Sequence, residues 1–484
     1  MGIGKLRGAH GLSAKVLKAM GLFGGVQGVG ILCSVVRVKL VALWLGPAGV
    51  ALFGIFNSAV EMVRSFSQLG FRSSSVRDIA SHSGSASLAG IVAVVRRWGL
   101  MLGLFGCVVM LVAAPFLSKS TFGSYDRTLY YMALAVAVFL MAVSASEEAV
   151  LQGSGRLRAL ARASLWGMVG GLAVSAPMYY FLGLESVVPS IIAYVLVTNL
   201  ALMSRRVKFP GEAMRKGLRE TWQAGRHFIM LGIYMTAADV IAQVMSYVFI
   251  AWLNQTGGEN FVGFYQAGYT MVNRYPALIM SAIAMEYYPR LASVASSPLR
   301  IRTFVAHEMR ILTVLLTAFV AMFVPLAQLA VRLLYSAEFD VAVPFVTIAM
   351  VGVMLRAISY CMSYVILAKG DGPTFLLTES ISAVAALGLN IGAFRLWGVS
   401  GLGVSYTLWY LLYVVIIAVV YCRRYRLRVP RRLVLAVCVE VVAIAVCVVV
   451  AMTAGHLWAL VPGVLTAASA LYCLRGCLKP RVKI

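Results

Sequence analysis

The residues of this sequence best suited to chemistry are charged side chains inside long apolar segments. Five basic residues stand in such surroundings: Arg37, Lys39, Arg64, Arg274 and Arg356. A charge at the centre of a bilayer costs at least about 2.5–3.5 kcal/mol, so such residues usually face water or the interior of a helical bundle. Together, these cations would attract an anion and repel a cation.

Polar residues recur on one face of four apolar segments, 16–45, 49–70, 228–253 and 262–284. Spacings of three, four and seven residues place side chains on the same face of a helix. The four sets, in chain order, are Gln27, Gly30, Ser34 and Arg37; Asn57, Glu61, Arg64 and Gln68; Thr236, Asp239, Gln243 and Ser246; and Gln266, Thr270 and Asn273 with Arg274 at the edge. Four coherent polar faces predict one shared aqueous cleft.

The charges of this cleft leave alternatives open. Glu61 and Asp239 are its only carboxylates, and they are candidate proton or sodium sites for energy coupling. Each could instead form a structural ion pair with a nearby arginine. Arg356 and Lys39 could extend along the helix surface toward the interface. Because two carboxylates cannot neutralise five cations, an excess of positive charge remains in every case.

Composition indicates the elements that position these residues. Of the 484 residues, 61% are hydrophobic and 12% are charged, against an apolar content of roughly 45–50% in soluble domains. The mean hydropathy is +0.89. Apolar windows of about 20 residues, the length of one membrane crossing, recur throughout. The sequence therefore predicts an all-α integral membrane protein with about fourteen transmembrane helices.

Most of the 42 basic residues fall in connections on the side of the N-terminus. The positive-inside rule then predicts that both termini are cytoplasmic. The net charge of +25 is thereby explained by topology, and no nucleic-acid partner is expected. Four acidic residues fall near predicted cytoplasmic helix ends and are interpreted as gate or loop contacts: Glu147, Glu148, Glu286 and Glu379.

Signs of enzymatic chemistry are missing from the sequence. It has no G-x-x-x-x-G-K-[ST] loop for nucleotide hydrolysis. The eight cysteines and five histidines show no ligand spacing, so no metal, disulfide or cofactor is expected. No outer loop is long enough for a catalytic domain. We therefore expect a transporter with no catalytic residues.

The chain resembles itself at a nearly constant offset. ALFGIFNSAVEMV, from residue 51, aligns with GFYQAGYTMVNRY, from residue 263, and IAS at 79–81 aligns with LAS at 291–293. Repeats with an even number of helices have the same orientation and are parallel. We expect six-helix bundles at 1–204 and 228–425 around a central cavity, a basic cytoplasmic linker at 205–227, and two additional helices with a basic tail at 426–484. Glu440, in the first additional helix, is either a buried polar contact or faces lipid.

Two runs carry a family resemblance. LGPAGVALFGIFNSAVEMV at 45–63 and LGFRSSSVRDIASHS at 69–83 resemble the Wzx-type oligosaccharide flippases, the O-antigen translocases. The LQGSGR and LAKGDGP turns resemble those of the wider exporter superfamily, which includes multidrug and lipid II transporters. The resemblance covers about residues 12–425. The family commonly has a basic residue near the position of Lys39, which supports Lys39 as a substrate-binding residue.

The resemblance implies a location in the bacterial inner membrane and alternating access of a cationic cavity. The substrate would be an undecaprenyl-pyrophosphate-linked oligosaccharide, whose phosphates suit arginine forks. Membrane lipid, a glycan polymerase and a chain-length regulator would be partners. The alternatives are a lipid II flippase, a drug/cation antiporter and a scaffold without transport. The positive excess argues against a cation carrier.

Overall fold

The computed structural model describes residues 3–68, 70–81, 88–206, 233–294 and 297–478. Within these ranges the secondary structure is helical, with no β-strand. We number the helices α1 (Ile3–Gln68), α2 (Phe71–Ser81), α3 (Leu88–Phe122), α4 (Thr128–Gly153), α5 (Leu157–Leu182), α6 (Val187–Met203), α7 (Ile233–Gly257), α8 (Glu259–Ser293), α9 (Pro298–Leu334), α10 (Val343–Ala368), α11 (Gly372–Val419), α12 (Arg431–Thr453) and α13 (Leu460–Leu478). The predicted all-α class is therefore found.

Two of these helices are each a pair of helices joined at a glycine. In α1 the break is at Gly46, with φ 65° and ψ −165°, and Pro47 begins the second half. In α11 it is at Gly398, with φ 60° and ψ −143°. Only glycine adopts such angles readily, and proline suits the first turn of a helix. The G-P-A-G run thus marks a real helix boundary.

The length and hydropathy of the helices fit membrane crossings. Nine described segments are long and apolar enough to cross a bilayer. Three of them, Gly28–Gln68, Leu157–Met203 and Gly372–Arg424, have 41, 47 and 53 residues, about twice one crossing. The predicted count of fourteen stays a prediction. Large apolar side chains such as Val112, Phe116 and Leu129 are more than 70% exposed, as expected for a surface that faces lipid.

The helices form two compact units, Met1–Thr236 and Ala237–Ile484. In the first unit, α3 packs on α4, and α5 packs on α6. Gly99 allows the close approach of α3 and α4, since a Cβ there would lie 2.6 Å from Cβ of Ser146. The predicted domain boundaries at 204 and 228 stay a prediction, and residues 207–232 of the linker region lie outside the described ranges.

In the second unit, α10 packs on α11, and the two additional helices α12 and α13 pack on α9. Glu440 of α12 accepts a hydrogen bond of 2.5 Å from Nη1 of Arg310 on α9, which makes Glu440 a partly buried contact within the protein. At the other end of this hairpin, Nε2 of His456 lies 3.2 Å from the hydroxyl oxygen of Thr347. The additional helices therefore belong to the packing of the second unit.

Candidate functional site

In the second half of α1, Glu61 and Arg64 form an ion pair. Nε and Nη2 of Arg64 lie 2.7 and 2.5 Å from Oε2 of Glu61. About two fifths of each side chain is exposed, 39% for Arg64 and 37% for Glu61. The structural ion pair left open by the sequence is therefore formed. Because exposed pairs are worth only about 0–1 kcal/mol, this pair contributes little to the stability of the fold.

Arg37 is held by aromatic rings from three helices. Its guanidinium carbon lies 4.6 Å from the ring centroid of Phe53 in α1 and 4.3 Å from that of Tyr194 in α6. Its Nε donates to the hydroxyl of Tyr179 in α5 at 3.0 Å. Its Nη2 is buried and has no hydrogen-bond partner among the described residues. Arg37 is thus fixed in position with one donor still available.

The other polar residues of α1 have different surroundings. Asn57 donates to the carbonyl of Phe53 at 2.7 Å, so its amide is bonded within its own helix. Gln68 is buried, and its Nε2 has no hydrogen-bond partner in the described part of the chain. Ser34 and Lys39 are partly buried. The side chain of Gln27 lies outside the described residues.

Arg356 of α10 has a comparable setting in the second unit. Its Nη1 donates to Oδ1 of Asn273 at 2.9 Å, and its guanidinium carbon lies 5.9 Å from the ring centroid of Tyr410. The hydroxyl of Tyr406 also donates to Oδ1 of Asn273, at 3.4 Å. The amide of Asn273 donates to the carbonyl of Tyr269 at 3.2 Å. The structure thus joins Arg356 to the polar face of α8.

The remaining predicted residues of α7 and α8 differ in burial. Asp239 and Arg274 are exposed, whereas Gln243 is partly buried. Gln266 is partly buried, with an Nε2 atom that lacks a hydrogen-bond partner among the described residues. Thr270 shares a hydrogen bond with Tyr335. Of these five residues, two are therefore exposed and three are partly buried.

Sequence reasoning missed a cavity inside the second unit. Its volume is about 90 Å³, and its polar lining comes from Ser246, Tyr265, Tyr269, Asn390 and Trp409. Only Ser246 belonged to a predicted polar face. The lining comes from three helices, α7, α8 and α11, and the periodicity of one helix carries no signal for a cavity that three helices form together.

In the first unit, the sequence indicates gate or loop contacts for Glu147 and Glu148 but does not predict their partners. Glu147 accepts hydrogen bonds from both Nε and Nη2 of Arg96, and Nε of Arg206 lies 3.4 Å from its Oε1. Glu148 pairs with Arg72 at 3.0 Å. The two glutamates thus connect helices, while the side chain of Glu286 lies outside the described residues.

The turn before α11 holds a second ionic cluster, at the edge of an open cavity of about 800 Å³. Asp371 accepts hydrogen bonds from Nε of Arg424 at 2.6 Å, the hydroxyl of Tyr425 at 2.8 Å and the backbone N–H of Thr374 at 3.4 Å. Burial raises the pKa of the Asp371 carboxyl, but these hydrogen bonds outweigh burial and hold it below its ordinary value. Asp371 is therefore a charged cap that joins both ends of α11.

Comparison with known protein families identifies the chain. The model of a family described as polysaccharide biosynthesis protein matches residues 40–344, more than half of the sequence. The chain belongs to this family. The resemblance to the oligosaccharide exporters is thereby confirmed at the level of the family. No curated protein matches the chain significantly.

Solved structures give the fold of this family member. It is similar to an inward-facing multidrug resistance MATE family transporter of the MOP superfamily, with a TM-score of 0.67, 15% identity and coverage of 83% of this chain and 94% of the other. It is also similar to the lipid II flippase MurJ in an inward closed conformation, with a TM-score of 0.63, 12% identity and coverage of 94% and 98%.

A third similar structure is a MOP superfamily transporter from Pyrococcus furiosus Vc1 with a binding pocket of reverse polarity. The TM-score is 0.58 at 16% identity, with coverage of 84% and 96%. At these identities the likeness establishes the fold alone. This member of the polysaccharide biosynthesis family is therefore a multi-pass membrane protein with the fold of MOP superfamily transporters.

Proposed function

We propose that the protein is a flippase that moves an undecaprenyl-pyrophosphate-linked oligosaccharide from the cytoplasmic to the periplasmic leaflet of the bacterial inner membrane. The observation that carries this proposal is Arg37, a fixed guanidinium with an unpartnered buried donor, in a chain of the polysaccharide biosynthesis family. The substrate would be an O-antigen or another surface-glycan repeat unit. Its head group is anionic, polar and too large to cross a bilayer unaided.

The chemistry of the arginines supports a pyrophosphate ligand. A guanidinium presents donors in a planar fork that matches two phosphate oxygens. Aromatic and amide contacts hold Arg37 and Arg356, which reduces the conformational entropy lost when a ligand binds. Arg64, in the same unit as Arg37, becomes available when the phosphate displaces Glu61 from its exposed ion pair. In this proposal, Arg274 and Lys39 add positive charge.

The polar faces of the same helices supply partners for sugar hydroxyls. Gln266 and Gln68 each have an amide nitrogen without a hydrogen-bond partner among the described residues. Alternating access then exposes the head-group site to one leaflet at a time, while the undecaprenyl chain stays in the hydrocarbon. A glycan polymerase and a chain-length regulator are the proposed partners on the periplasmic side.

A transport assay with arginine variants tests this function. Purified protein is reconstituted in liposomes that contain fluorescent undecaprenyl-pyrophosphate-linked oligosaccharide, and flipping is measured as loss of access for an added glycosidase. We expect Arg37→Ala and Arg356→Ala to flip at least about tenfold more slowly, the effect of losing about 1.4 kcal/mol of binding. Arg332→Ala is the control, because Arg332 is exposed and pairs with Asp340.

The outcome also separates the alternatives. Flipping by both Arg37→Ala and Arg356→Ala at the rate of the wild type, or equal loss in Arg332→Ala, contradicts the proposal. A preference for lipid II over the oligosaccharide indicates a lipid II flippase. The similarity to the MurJ structure, which extends over 94% of this chain, favours that alternative. Efflux of a cationic dye without any flipping indicates an antiporter.

A further inference from the structure

Glu379 is a carboxyl group inside a membrane-spanning helix whose partner is not a cation. It lies in the first half of α11 and is partly buried. Its carboxylate accepts a hydrogen bond from the hydroxyl of Tyr413, which is buried in the second half of the same helix. No basic side chain among the described residues forms an ion pair with it. Glu379 therefore differs from most other acidic residues of the spans.

Five other acidic residues in or beside the spans have arginine partners. The pairs are Glu61 with Arg64, Glu147 with Arg96, Glu148 with Arg72, Asp371 with Arg424, and Glu440 with Arg310. An arginine beside a carboxylate stabilises its charged form. An unpaired carboxylate in a low-dielectric interior is costly and commonly becomes neutral by taking up a proton. Among these residues, Glu379 has the environment best suited to a group that binds and releases a proton.

The tyrosine is a suitable partner for both states of the carboxyl group. A tyrosine hydroxyl donates to a carboxylate and can accept from a carboxylic acid by rotating its hydrogen. The hydrogen bond between Glu379 and Tyr413 therefore persists when the charge changes. Two further hydrogen bonds hold the halves of α11 together independently of this charge: Trp409 to Ser382 at 2.8 Å and Ser405 to Asn390 at 2.5 Å. The helix pair can therefore tolerate both states.

A line of contacts connects Glu379 with Arg356. The ring centroids of Tyr413 and Tyr410 are 6.5 Å apart, and the Tyr410 ring lies 5.9 Å from the guanidinium carbon of Arg356. Arg356 in turn donates to Asn273 on the polar face of α8. Electrostatic interactions are weakly screened in such an interior. A change of charge at Glu379 is therefore felt at an arginine that we propose binds substrate.

We propose that Glu379 is the proton-binding site of the second unit and that its proton exchange drives flipping. The proton-binding site does not depend on the proposed flippase function, whereas the statement that proton exchange drives flipping rests on that function. A proton from water on one side of the membrane binds a carboxylate oxygen, and the neutral acid later releases it to water on the other side. Tyr413 keeps its own proton throughout. No other bond forms or breaks.

Several titratable or charged side chains lie near Glu379 and affect its titration. Tyr413 and Tyr410 face it from the second half of α11, and Arg356 of α10 lies beyond Tyr410. Tyr360 and Tyr364, also on α10, are bonded to each other at 3.1 Å. Tyr406 of α11 and Tyr269 of α8 also lie beside Tyr410. The two carboxylates predicted for coupling are placed differently, since Glu61 is paired and Asp239 is exposed.

Infrared spectroscopy of the full-length protein tests the proton site without any transport. The C=O stretching band of a protonated carboxyl group is followed in wild type while the pH is raised from acid to alkaline. We expect a band that persists at neutral pH in wild type and is lost in Glu379→Gln. The matched control is Glu185→Gln, because Glu185 also accepts a hydrogen bond from a tyrosine, Tyr130, but is itself exposed. Its spectrum at neutral pH should equal that of the wild type.

A neutral-pH band that is equally strong in Glu379→Gln, or absent from the wild type, overturns the proton site. If Glu379→Gln does not fold, Tyr413→Phe serves as the second variant. Removing the hydroxyl should shift the frequency of the band and move its titration, and an unchanged band again overturns the site. These readings do not depend on whether the protein transports anything.

Flipping across a pH gradient tests the coupling. With one proton exchanged per cycle, a gradient of one pH unit should change the leaflet ratio of the substrate by about tenfold in wild type. We expect Glu379→Gln to flip down a concentration gradient with no response to pH, and Glu379→Asp to regain part of the response. Flipping by the wild type that ignores the gradient overturns the coupling. A normal infrared band without any flipping instead contradicts the proposed function and leaves the proton site established.

Discussion

Arg96 and Glu147 make a two-point contact inside the first unit, with Nε to Oε1 at 2.6 Å and Nη2 to Oε2 at 2.9 Å. Only 8% of Arg96 and 1% of Glu147 is exposed. The pair joins α3 to α4, and Arg206 after α6 adds a third member. A buried ion pair is strongly destabilised when one partner alone is removed, because the other charge is left without compensation.

Glu147→Gln is therefore expected to destabilise the protein by about 3–5 kcal/mol. The measurement is the unfolding midpoint of purified protein in detergent, followed by the loss of monodisperse protein on heating. Glu148→Gln is the matched control, because its partner Arg72 has a side chain that is 51% exposed. Exposed pairs contribute about 0–1 kcal/mol, so a midpoint shift as large as that of Glu147→Gln would contradict the role assigned to burial.

The aromatic contacts of Arg37 predict an effect on substrate affinity. Tyr194→Leu removes one of the two rings that flank the guanidinium and should weaken its positioning by about 0.5–2 kcal/mol. We expect a higher half-saturating concentration of lipid-linked oligosaccharide in the liposome assay. Arg37→Lys should not restore flipping, since a lysine ammonium lacks the planar fork. Full activity of Arg37→Lys would show that charge alone is needed there.

The break between the halves of α1 predicts a strict requirement for glycine at residue 46. Its angles, φ 65° and ψ −165°, lie in a region that is essentially closed to other residues. Gly46→Ala should cost about 1–3 kcal/mol of stability, measured by thermal unfolding. Gly28→Ala is the control, since a Cβ at Gly28 would meet no atom within 4 Å. Equal loss in both variants would refute this explanation.

The lowered pKa of Asp371 predicts a dependence of stability on pH. A carboxyl whose pKa is lower in the folded state stabilises the fold at pH values above its ordinary pKa of about 3.9, and this contribution is lost as the pH falls through the lowered value. Asp371→Asn should therefore lower the unfolding midpoint at neutral pH. The difference between variant and wild type should shrink on acidification below the ordinary pKa. A difference that stays constant would contradict this assignment.

Much of the architecture follows from local sequence. Apolar windows predict membrane helices because each backbone polar group in hydrocarbon must be bonded within the chain. The G-P-A-G run predicts the end of one helix and the start of the next, and Gly46 has the backbone conformation that such a break needs. Family membership likewise follows from local motifs, since the runs at 45–63 and 69–83 fall within the matched residues.

The partners of charged residues did not follow from the sequence. Helical periodicity predicts that Glu61 and Arg64 share a face, yet it leaves open whether the two are paired or separately face water. From its position near a predicted helix end, Glu379 was expected to be a gate or loop contact, and no proton-binding role was predicted for it. Its neighbour Tyr413 is 34 residues away in the chain. No helical period relates the two.

By itself, then, the sequence determined the membrane location, the helical class, the family and which residues are polar within apolar helices. These properties depend on hydropathy and on backbone preferences within a few residues. Only the tertiary structure decided that Arg37 is fixed by Phe53, Tyr179 and Tyr194, and that Arg356 is bonded to Asn273. The physical reason is that the solvation and charge of a buried group depend on side chains that chain folding brings from distant helices.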